Sequence, residues 1–356
     1  MRKITILAVI LLFLVSFTSS GCIESGENDI ETMIVTDMAG RDVEIPENVE
    51  SIVAVGSGCL RLIAYMNSTD LLAGVEEYEI TGGLMGRPYA LANPQLSELP
   101  SIGPIHGGDM ELIVDQEPDL IFRADSAEEA DEYQEQTGIP AINLAIGDLG
   151  ENRDGFYGSL RLIGEILDKE ARADEIIEYI DSNIQDLRDR TDDISSENKS
   201  KVYVGGVLHR GAHDLRSTYS DYAPFEFVNA DNVAGGLGSD HAMVDEEAIL
   251  KWDPDIIFVD MGSYTRDTID LDKLVYEELK AFQNGDLYGI LPYNWHHINY
   301  GTVLASSFYV GSVIYSEEFS DIDLVEKADE IYEMLVGEPV YEYMERDLGG
   351  FIELEP

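Results

Sequence analysis

The chain has 356 residues, with 22 Lys and Arg against 71 Asp and Glu, for a formal net charge of −49. A charge this negative excludes nucleic acid as a partner, because phosphates are repelled. Apolar residues make up 44%, so we expect packed cores rather than disorder, and the length predicts two lobes. The acidity predicts stability that rises with salt, as for a halophile's surface protein; the alternative is an ordinary acidic extracellular protein.

Residues 1–22 have the pattern of a secretion signal. A positive MRK precedes the apolar run ITILAVILLFLVSF, and TSSGC ends it with small residues and a cysteine. Cys22 at the end of this run predicts a lipidated N-terminus that anchors the protein on the outer face of the cell membrane. Cleavage by ordinary signal peptidase is the alternative, since Ser19 replaces the usual large aliphatic residue. The polar residues 23–33 predict a tether.

Alternating strand and helix patterns fill residues 34–167 and predict an α/β lobe with parallel strands. VESIVAVG reads as a strand that ends in a glycine turn, and CLRLIAYM follows with helical spacing. LLAGVEE is the next strand, followed by a long loop rich in Gly and Pro. DMELIVDQEPDLIFRAD then gives a helix, a Pro-Asp break and a strand, and EEADEYQEQTGIPAINLAI repeats helix then strand.

A long helix without proline is predicted next, over residues 168–194, with a break from the preceding helix near Asp168. Its apolar residues recur at helical spacing and indicate one buried face. They are Ile176, Ile177, Ile180, Ile184 and Leu187. The α/β pattern resumes at KVYVGGVL, so residues 195–356 are predicted to form a second lobe.

The two halves contain an internal repeat. MELIVDQEPDLIFRAD matches EAILKWDPDIIFVDM around Pro118 and Pro254. Together with the opening phrase VTDMAGRDVEIPENVESIVAVG and the long central helix, the repeat resembles ABC-transporter substrate-binding proteins of the group serving iron–siderophore, haem and vitamin B12 uptake. The resemblance implies an α/β fold of two Rossmann-like lobes joined by a single long rigid helix, with the ligand cleft between the lobes.

The same resemblance implies a function. It implies a monomeric, non-enzymatic extracytoplasmic protein without a cofactor, which binds a small anionic or metal-chelate ligand and delivers it to an ABC permease dimer with its ATPase subunits. An iron(III) complex of the siderophore kind is the first expectation, then corrinoid and haem. Molybdate or tungstate is a rival, because paired arginines and backbone N–H groups suit a small oxyanion.

Two loops of the first lobe are predicted to contact the ligand. GSGCLR places Ser57 at a turn that enters a helix, where free N–H groups suit an anion, with Arg61 one turn on. A purely structural turn is the alternative. GGLMGRPYALANP carries Arg87 and Tyr89, and an arginine fork suits carboxylates or oxyanions. A solvated surface arginine is the alternative.

A third loop, in the second lobe, follows the strand KVYVGGVL. It gathers His209, Arg210 and His213 in a chain poor in cations, and aromatic residues follow. This pattern predicts a patch for an anionic or aromatic ligand. A structural cluster of histidines with nearby carboxylates is the alternative.

The fourth loop is YGILPYNWHHINYG. Its Tyr293, Trp295, His296 and His297 suit contact with a metal chelate or a planar ligand, rather than direct coordination of a bare metal. The alternative is that Trp295 plugs the lobe core.

The sequence disfavours two other classes of protein. It contains no HExxH spacing for a metallohydrolase and no Gly-x-Ser-x-Gly elbow for a serine hydrolase. A protein that binds bare Zn or Mn is disfavoured because Arg87 and Arg210 accompany the histidines, and arginine does not ligate a metal cation. We therefore expect no resident metal.

Two glutamates occupy equivalent positions in the repeat. Glu111 and Glu247 each lie seven residues before the shared proline, which predicts the start of a helix, where a carboxylate is favoured. A capping role alone is the alternative. The resemblance implies that such a pair docks onto arginines of the permease, with Glu246 as the substitute for Glu247.

Overall fold

A computed structural model describes residues 31–238 and 241–355. The signal segment, Cys22 and most of the predicted tether lie outside the described residues. Two residues of that tether, Thr32 and Met33, instead begin the first strand, whose apolar Val35 is buried. Within the described residues, no helix is both long enough and apolar enough to cross a membrane.

The N-terminal lobe is a parallel sheet covered by helices. Its strands are β1 (Thr32–Thr36), β2 (Asp42–Pro46), β3 (Ile52–Val55), β4 (Leu72–Gly74), β5 (Leu120–Ala124) and β6 (Ala141–Leu144). Its helices are α1 (Cys59–Tyr65), α2 (Glu77–Thr81), α3 (Pro88–Ala92), α4 (Met110–Val114), α5 (Ala127–Thr137) and α6 (Arg153–Ile166). The sheet has the order β4-β3-β5-β6 with all neighbours parallel, while β1 and β2 form a separate antiparallel pair.

One long helix leads from this lobe towards the next sheet. Helix α7 spans Glu170–Thr191, slightly less than the predicted range 168–194. The break from α6 lies where it was expected, since Asp168 has a left-handed φ of 54°. The apolar face of α7 is buried, as its spacing predicts, from Ile176 to Leu187.

The C-terminal lobe contains a second, mostly parallel sheet. Its strands are β7 (Lys201–Gly205), β8 (Ser217–Tyr219), β9 (Asp231–Asn232), β10 (His241–Met243), β11 (Ile256–Asp260), β12 (Leu287–Ile290) and β13 (Ile352–Glu353). Its helices are α8 (Ala223–Phe227), α9 (Glu246–Trp252), α10 (Met261–Tyr264), α11 (Lys280–Asn284), α12 (Tyr300–Ile314), α13 (Leu324–Val336) and α14 (Tyr341–Leu348). The sheet order is β13-β12-β11-β7-β9, with only the edge strand β13 antiparallel, and β8 pairs with β10.

The repeated Pro-Asp has the same structural task in both lobes. Asp119 accepts hydrogen bonds from the backbone N–H groups of Glu50 and Ser51, each at 2.9 Å, just before β3 begins. Asp255 accepts from the backbone N–H of Lys201 at 3.0 Å, where β7 begins. Each aspartate therefore ties its own strand to the start of a neighbouring parallel strand, β3 or β7.

After β12 the chain leaves the C-terminal sheet and returns to it only as β13. Helix α13 packs on α1 and α3 of the N-terminal lobe, and α12 packs on α7, α8 and α13. The buried side chains of α13 include Ile331, Tyr332 and Leu335. Residues 324–336, predicted to belong to the second lobe, thus complete the core of the first, because α1 and α3 leave an apolar face that needs a cover.

Candidate functional site

The carboxyl ends of strands from both sheets open onto one cleft of about 970 Å³. This is where ligands bind in open parallel sheets. Several predicted contact residues line the cleft, namely Ser57, His209, Arg210, Trp295, His296 and His297. They follow strands β3, β7 and β12, so both lobes contribute to one site.

A second cavity of about 510 Å³ adjoins the first and shares His209 and His297 with it. Tyr293, predicted as a ligand contact, lines this second cavity. Its walls are rich in carboxylates, namely Asp125, Asp148, Glu151, Asp221 and Glu226. The cleft therefore has a cationic part and an acidic part.

Two arginines give the larger cavity its positive charge. Arg210 is exposed on the loop after β7, in a left-handed conformation with φ 54°. The Arg266 guanidinium lies 4.1 Å from the centroid of the Trp295 ring, and its Nη1 donates to the Gly262 carbonyl at 3.0 Å. Sequence reasoning missed Arg266, although a signal was available, since it follows the end of strand β11 by six residues, much as Arg210 follows the end of β7 by five.

The histidines of the β7 loop do not all face the ligand. His209 stacks on His241 with ring centroids 4.0 Å apart. His213 turns away from the cavity surface, and its Nε2 donates to the His209 carbonyl at 2.7 Å. The ring of His213 thus shapes the loop that presents His209, and its contact with the ligand stays a prediction.

His296 and His297 lie at the centre of the cleft floor. The His296 ring packs on Tyr78 at 4.7 Å and on His106 at 5.6 Å between centroids. His106, which also lines the cavity, shares a 2.6 Å hydrogen bond with the Ser57 hydroxyl. His297 Nε2 lies 3.7 Å from Asp125 Oδ2, while its Nδ1 accepts from the Ile298 N–H at 2.9 Å.

Three histidines at the two cavities, His241, His296 and His297, are neutral at physiological pH. Burial, then the charge of Arg61, lowers the pKa of His296 to about 3 and that of His297 to about 4. Burial and the neighbouring His209 lower the pKa of His241 to about 4. Arg210 and Arg266 are therefore permanent positive charges of the cleft, whereas these three histidines contribute none.

The structure corrects the predicted role of Arg87 and Tyr89. The Arg87 side chain is fully buried and pairs with Glu79 at 2.5 Å between Nη1 and Oε2. The Tyr89 hydroxyl donates to the other Glu79 oxygen at 2.8 Å, and its ring is also buried. Neither lines the main cleft, because both are needed as partners for a carboxylate inside the lobe.

Arg61 is also absent from the cavity surface. It is 1% exposed and donates to the backbone carbonyls of Trp295 and Ile298 at 3.0 and 2.5 Å. The sequence places Arg61 among the expected ligand-binding residues in support of the Ser57 turn, and the structure bonds both of its terminal nitrogens to the opposite lobe.

Within residues 31–238 and 241–355, no group of three or more His, Cys, Asp and Glu side chains is arranged to hold a metal ion. The histidines of the cleft are spread over several loops and are interrupted by arginine. The arrangement suits contact with a whole ligand that carries negative charge.

The two glutamates of the repeat occupy the predicted positions. Glu111 is the second residue of α4 and Glu247 the second residue of α9, and both are exposed. The alternative residue, Glu246, is partly occupied by an ion pair with Lys273 at 3.3 Å.

Two α/β lobes connected by one long helix, with a polar cleft at the carboxyl ends of their strands, define a bilobal solute-binding protein. Residues 68–293 match the model of the family described as Periplasmic binding protein, and the chain belongs to this family. It is thus an extracytoplasmic solute-binding protein of an ABC importer, and its relatives are substrate-binding proteins rather than enzymes.

The chain is similar to relatives with different ligands. It is 23% identical over 325 residues to the molybdate-binding protein MolA of Haemophilus influenzae, covering 84% of this chain and 90% of that protein. It is 24% identical over 269 residues to the petrobactin-binding protein YclQ of Bacillus subtilis, covering 71% and 78%. The solved structure of MolA bound to molybdate superposes with a TM-score of 0.69 at 19% identity, covering 86% and 98%.

Proposed function

We propose that the protein captures an anionic iron(III) chelate of the siderophore kind and delivers it to its importer. The observation that carries this proposal is a cleft of about 970 Å³ with Arg210 and Arg266 on its wall. Cavities for small organic ligands measure roughly 300–1,000 Å³, whereas a single tetrahedral oxyanion needs far less. Neutral histidines and aromatic rings beside the arginines suit the organic part of a chelate.

Molybdate or tungstate is the second candidate. The similarity to MolA supports it, and so do the polar groups that line the cleft. Guanidinium groups and the Ser57 hydroxyl are donors that a small oxyanion accepts from. Corrinoid and haem stay in the panel of ligands to be tested.

Fluorescence of Trp295 provides the test, because this side chain lines the cleft. Trp252 is the only other tryptophan, so Trp252→Phe leaves Trp295 as the single reporter. Ferric siderophores, haem, a corrinoid, molybdate and tungstate are titrated into this variant. Saturable quenching by a ferric chelate at micromolar concentration is expected; binding of molybdate or tungstate with no response to any chelate would replace the first candidate by the second.

We further propose that Glu111 and Glu247 dock onto the two permease subunits. The proposal is supported by their exposure and by their equivalent positions at helix starts in the two lobes. Replacing both with Lys is expected to abolish uptake and to leave ligand affinity unchanged. Glu128→Lys with Glu326→Lys is a matched control, since both are exposed first-turn glutamates. Normal uptake by the Glu111 and Glu247 double variant would remove the assignment.

A lipid on Cys22 is proposed as the membrane anchor, on the basis of the sequence pattern alone. Mass spectrometry of the N-terminal peptide from membranes should show a diacylglyceryl-modified cysteine. Cys22→Ser should release the protein into the medium with ligand binding intact. An unmodified N-terminus in the membrane fraction would contradict the anchor.

A further inference from the structure

Residues 291–299, which we call the histidine loop, join β12 to α12 and supply much of the cleft floor. Trp295, His296 and His297 all line the cavity. His296 has φ 52° and His297 has φ 84°, so two successive non-glycine residues lie in the left-handed region. Such conformations cost free energy and persist only where the surroundings hold them. Contacts from the surrounding protein must therefore hold His296 and His297 in this conformation.

Arg61 reaches the histidine loop from the other lobe. It lies on α1, and its Nη1 donates to the Ile298 carbonyl at 2.5 Å while its Nη2 donates to the Trp295 carbonyl at 3.0 Å. One carbonyl precedes the histidine pair and the other follows it. A single planar guanidinium therefore spans both histidines and fixes the distance across the turn.

Other contacts hold the loop together with Arg61, both across the histidine pair and at its end. The Trp295 N–H donates to the His297 carbonyl at 2.9 Å, and the Asn299 N–H donates to the Tyr293 carbonyl at 3.0 Å. Trp295 also rests against Gly86 of the N-terminal lobe, where an added Cβ would lie 2.2 Å from the indole ring. The loop is thus seated on the opposite lobe, with the arginine at the strained turn.

The charge of Arg61 has a second effect on the same histidines. Arg61 is 1% exposed, and among the described residues no carboxylate lies within ion-pair distance of it. A buried cation without a counter-ion disfavours protonation of neighbouring imidazoles. After burial itself, Arg61 is the largest influence lowering the pKa of both His296 and His297.

We propose that Arg61 is a positioning residue for the ligand site, which holds the histidine loop in its strained, ligand-facing conformation from the opposite lobe. It acts through Trp295, His296 and His297 without touching the ligand. The effect on ligand affinity rests on the proposed function, whereas the effect on the loop does not.

The test uses the full chain with Trp252→Phe, so that Trp295 alone emits. Arg61→Met removes the guanidinium at similar length, and Arg61→Lys keeps a charge and fewer donors. Arg172→Met is the matched control, because Arg172 also donates to two backbone carbonyls, those of Tyr65 and Met334, away from the cleft. Acrylamide quenching of Trp295 and NMR titration of the histidines are measured without ligand.

Arg61→Met is expected to raise the Trp295 quenching constant severalfold and to raise the pKa of His296 and His297. Arg61→Lys should show an intermediate quenching constant with the histidine pKa values still low. Arg172→Met should change neither readout, even where it lowers stability to urea. Identical behaviour of Arg61→Met and Arg172→Met would overturn the proposal. If Arg61→Met does not fold, an unchanged quenching constant in Arg61→Lys overturns it.

Ferric citrate and sodium molybdate serve as probes for the binding arm. Whichever binds the Trp252→Phe protein should bind at least about tenfold more weakly after Arg61→Met and equally well after Arg172→Met. If Arg61→Met raises the Trp295 quenching constant but leaves the affinity for the probe unchanged, Arg61 holds the loop without affecting binding, which contradicts its role in the ligand site. If neither probe binds, the proposed ligand class fails. The acrylamide quenching and the histidine titrations, which need no ligand, still test whether Arg61 holds the loop.

Discussion

The rare cations of this chain divide into two groups that the sequence does not distinguish. Arg210 and Arg266 line the cleft, whereas Arg61 and Arg87 are buried and bonded inside the protein. With 22 basic residues against 71 acidic ones, any arginine in a loop suggests a contact with an anion. The partner of Arg87, Glu79, lies on a separate short helix, so local sequence gives little sign of the pairing.

Charge reversal at the cleft should weaken binding. Arg210→Glu or Arg266→Glu is expected to cost roughly 2–5 kcal/mol of binding free energy for the ligand identified in the panel, because a carboxylate then faces an anion. Titration of Trp295 fluorescence measures the loss for Arg210→Glu, and calorimetry is used for Arg266→Glu because Arg266 touches the reporter. Arg346→Glu, on an exposed part of α14, is the control. Unaltered affinity in both cleft variants would rule out an anionic ligand.

Arg87→Met should destabilise the fold rather than only weaken binding. It leaves the Glu79 carboxylate buried without its cation, which typically costs about 3–5 kcal/mol of unfolding free energy. Urea denaturation measures this loss. Adding Glu79→Gln should recover part of it, since the uncompensated charge is then gone. A loss below about 1 kcal/mol in the single variant would show that the pair is not a structural element.

Acidification should destabilise the protein through His296. The pKa of His296 is about 3 in the folded protein, against an ordinary value of 6.5. Between these two pH values the unfolded chain therefore binds a proton at this histidine and the folded chain does not. Stability therefore falls as pH drops below about 6.5, by roughly 1–2 kcal/mol at pH 5 for this one group. Asparagine tolerates the left-handed backbone, so His296→Asn should make the urea midpoint depend less on pH between about 6.5 and 5. If the urea midpoint falls equally with pH in the unaltered protein and in His296→Asn, His296 is not the group responsible.

At the scale of elements, the Pro-Asp repeat is a joint between neighbouring strands. Asp119→Ala removes two backbone hydrogen bonds at the start of β3, and Asp255→Ala removes one at the start of β7. We expect losses of about 1–3 kcal/mol, larger for Asp119. Asp115→Ala, at the exposed end of α4, is the control and should change urea stability little. If Asp119→Ala and Asp115→Ala are equally stable, the hydrogen bonds of Asp119 do not stabilise the start of β3.

The element order was predictable because strands, helices and turns have local signals. The run VESIVAVG contains β3, the Pro-Asp segments start β5 and β11, and the apolar spacing of residues 176–187 marks α7. Contacts between distant segments were not predictable in this way. Nothing near Arg61 indicates that its partners are residues 295 and 298, and the turned ring of His213 depends on a carbonyl four residues away. Three of the four predicted loops contain residues that line the cavities, whereas Arg87 and Tyr89 of the other loop are buried and Arg266 was missed.

At the scale of the whole molecule, a net charge of −49 on 356 residues makes the folded state repel itself. Raising KCl from about 0.1 M to about 1 M shortens the Debye length from roughly 10 Å to 3 Å, so the melting temperature should rise over this range and then level off. Sucrose of equal osmolality is the control and should raise it less. A melting temperature insensitive to KCl would argue against adaptation to high salt.

The packing of α13 on α1 and α3 has a consequence for how the chain matures. The first lobe gets part of its apolar cover from residues 324–336, which are made long after α1 and α3. Contacts so distant along the chain form slowly, because a long loop must close before they are made. During synthesis α1 and α3 therefore stay uncovered until residues 324–336 have been made. Truncation before residue 324 should yield a protease-sensitive product in which both lobes are affected, rather than one intact lobe and one missing piece.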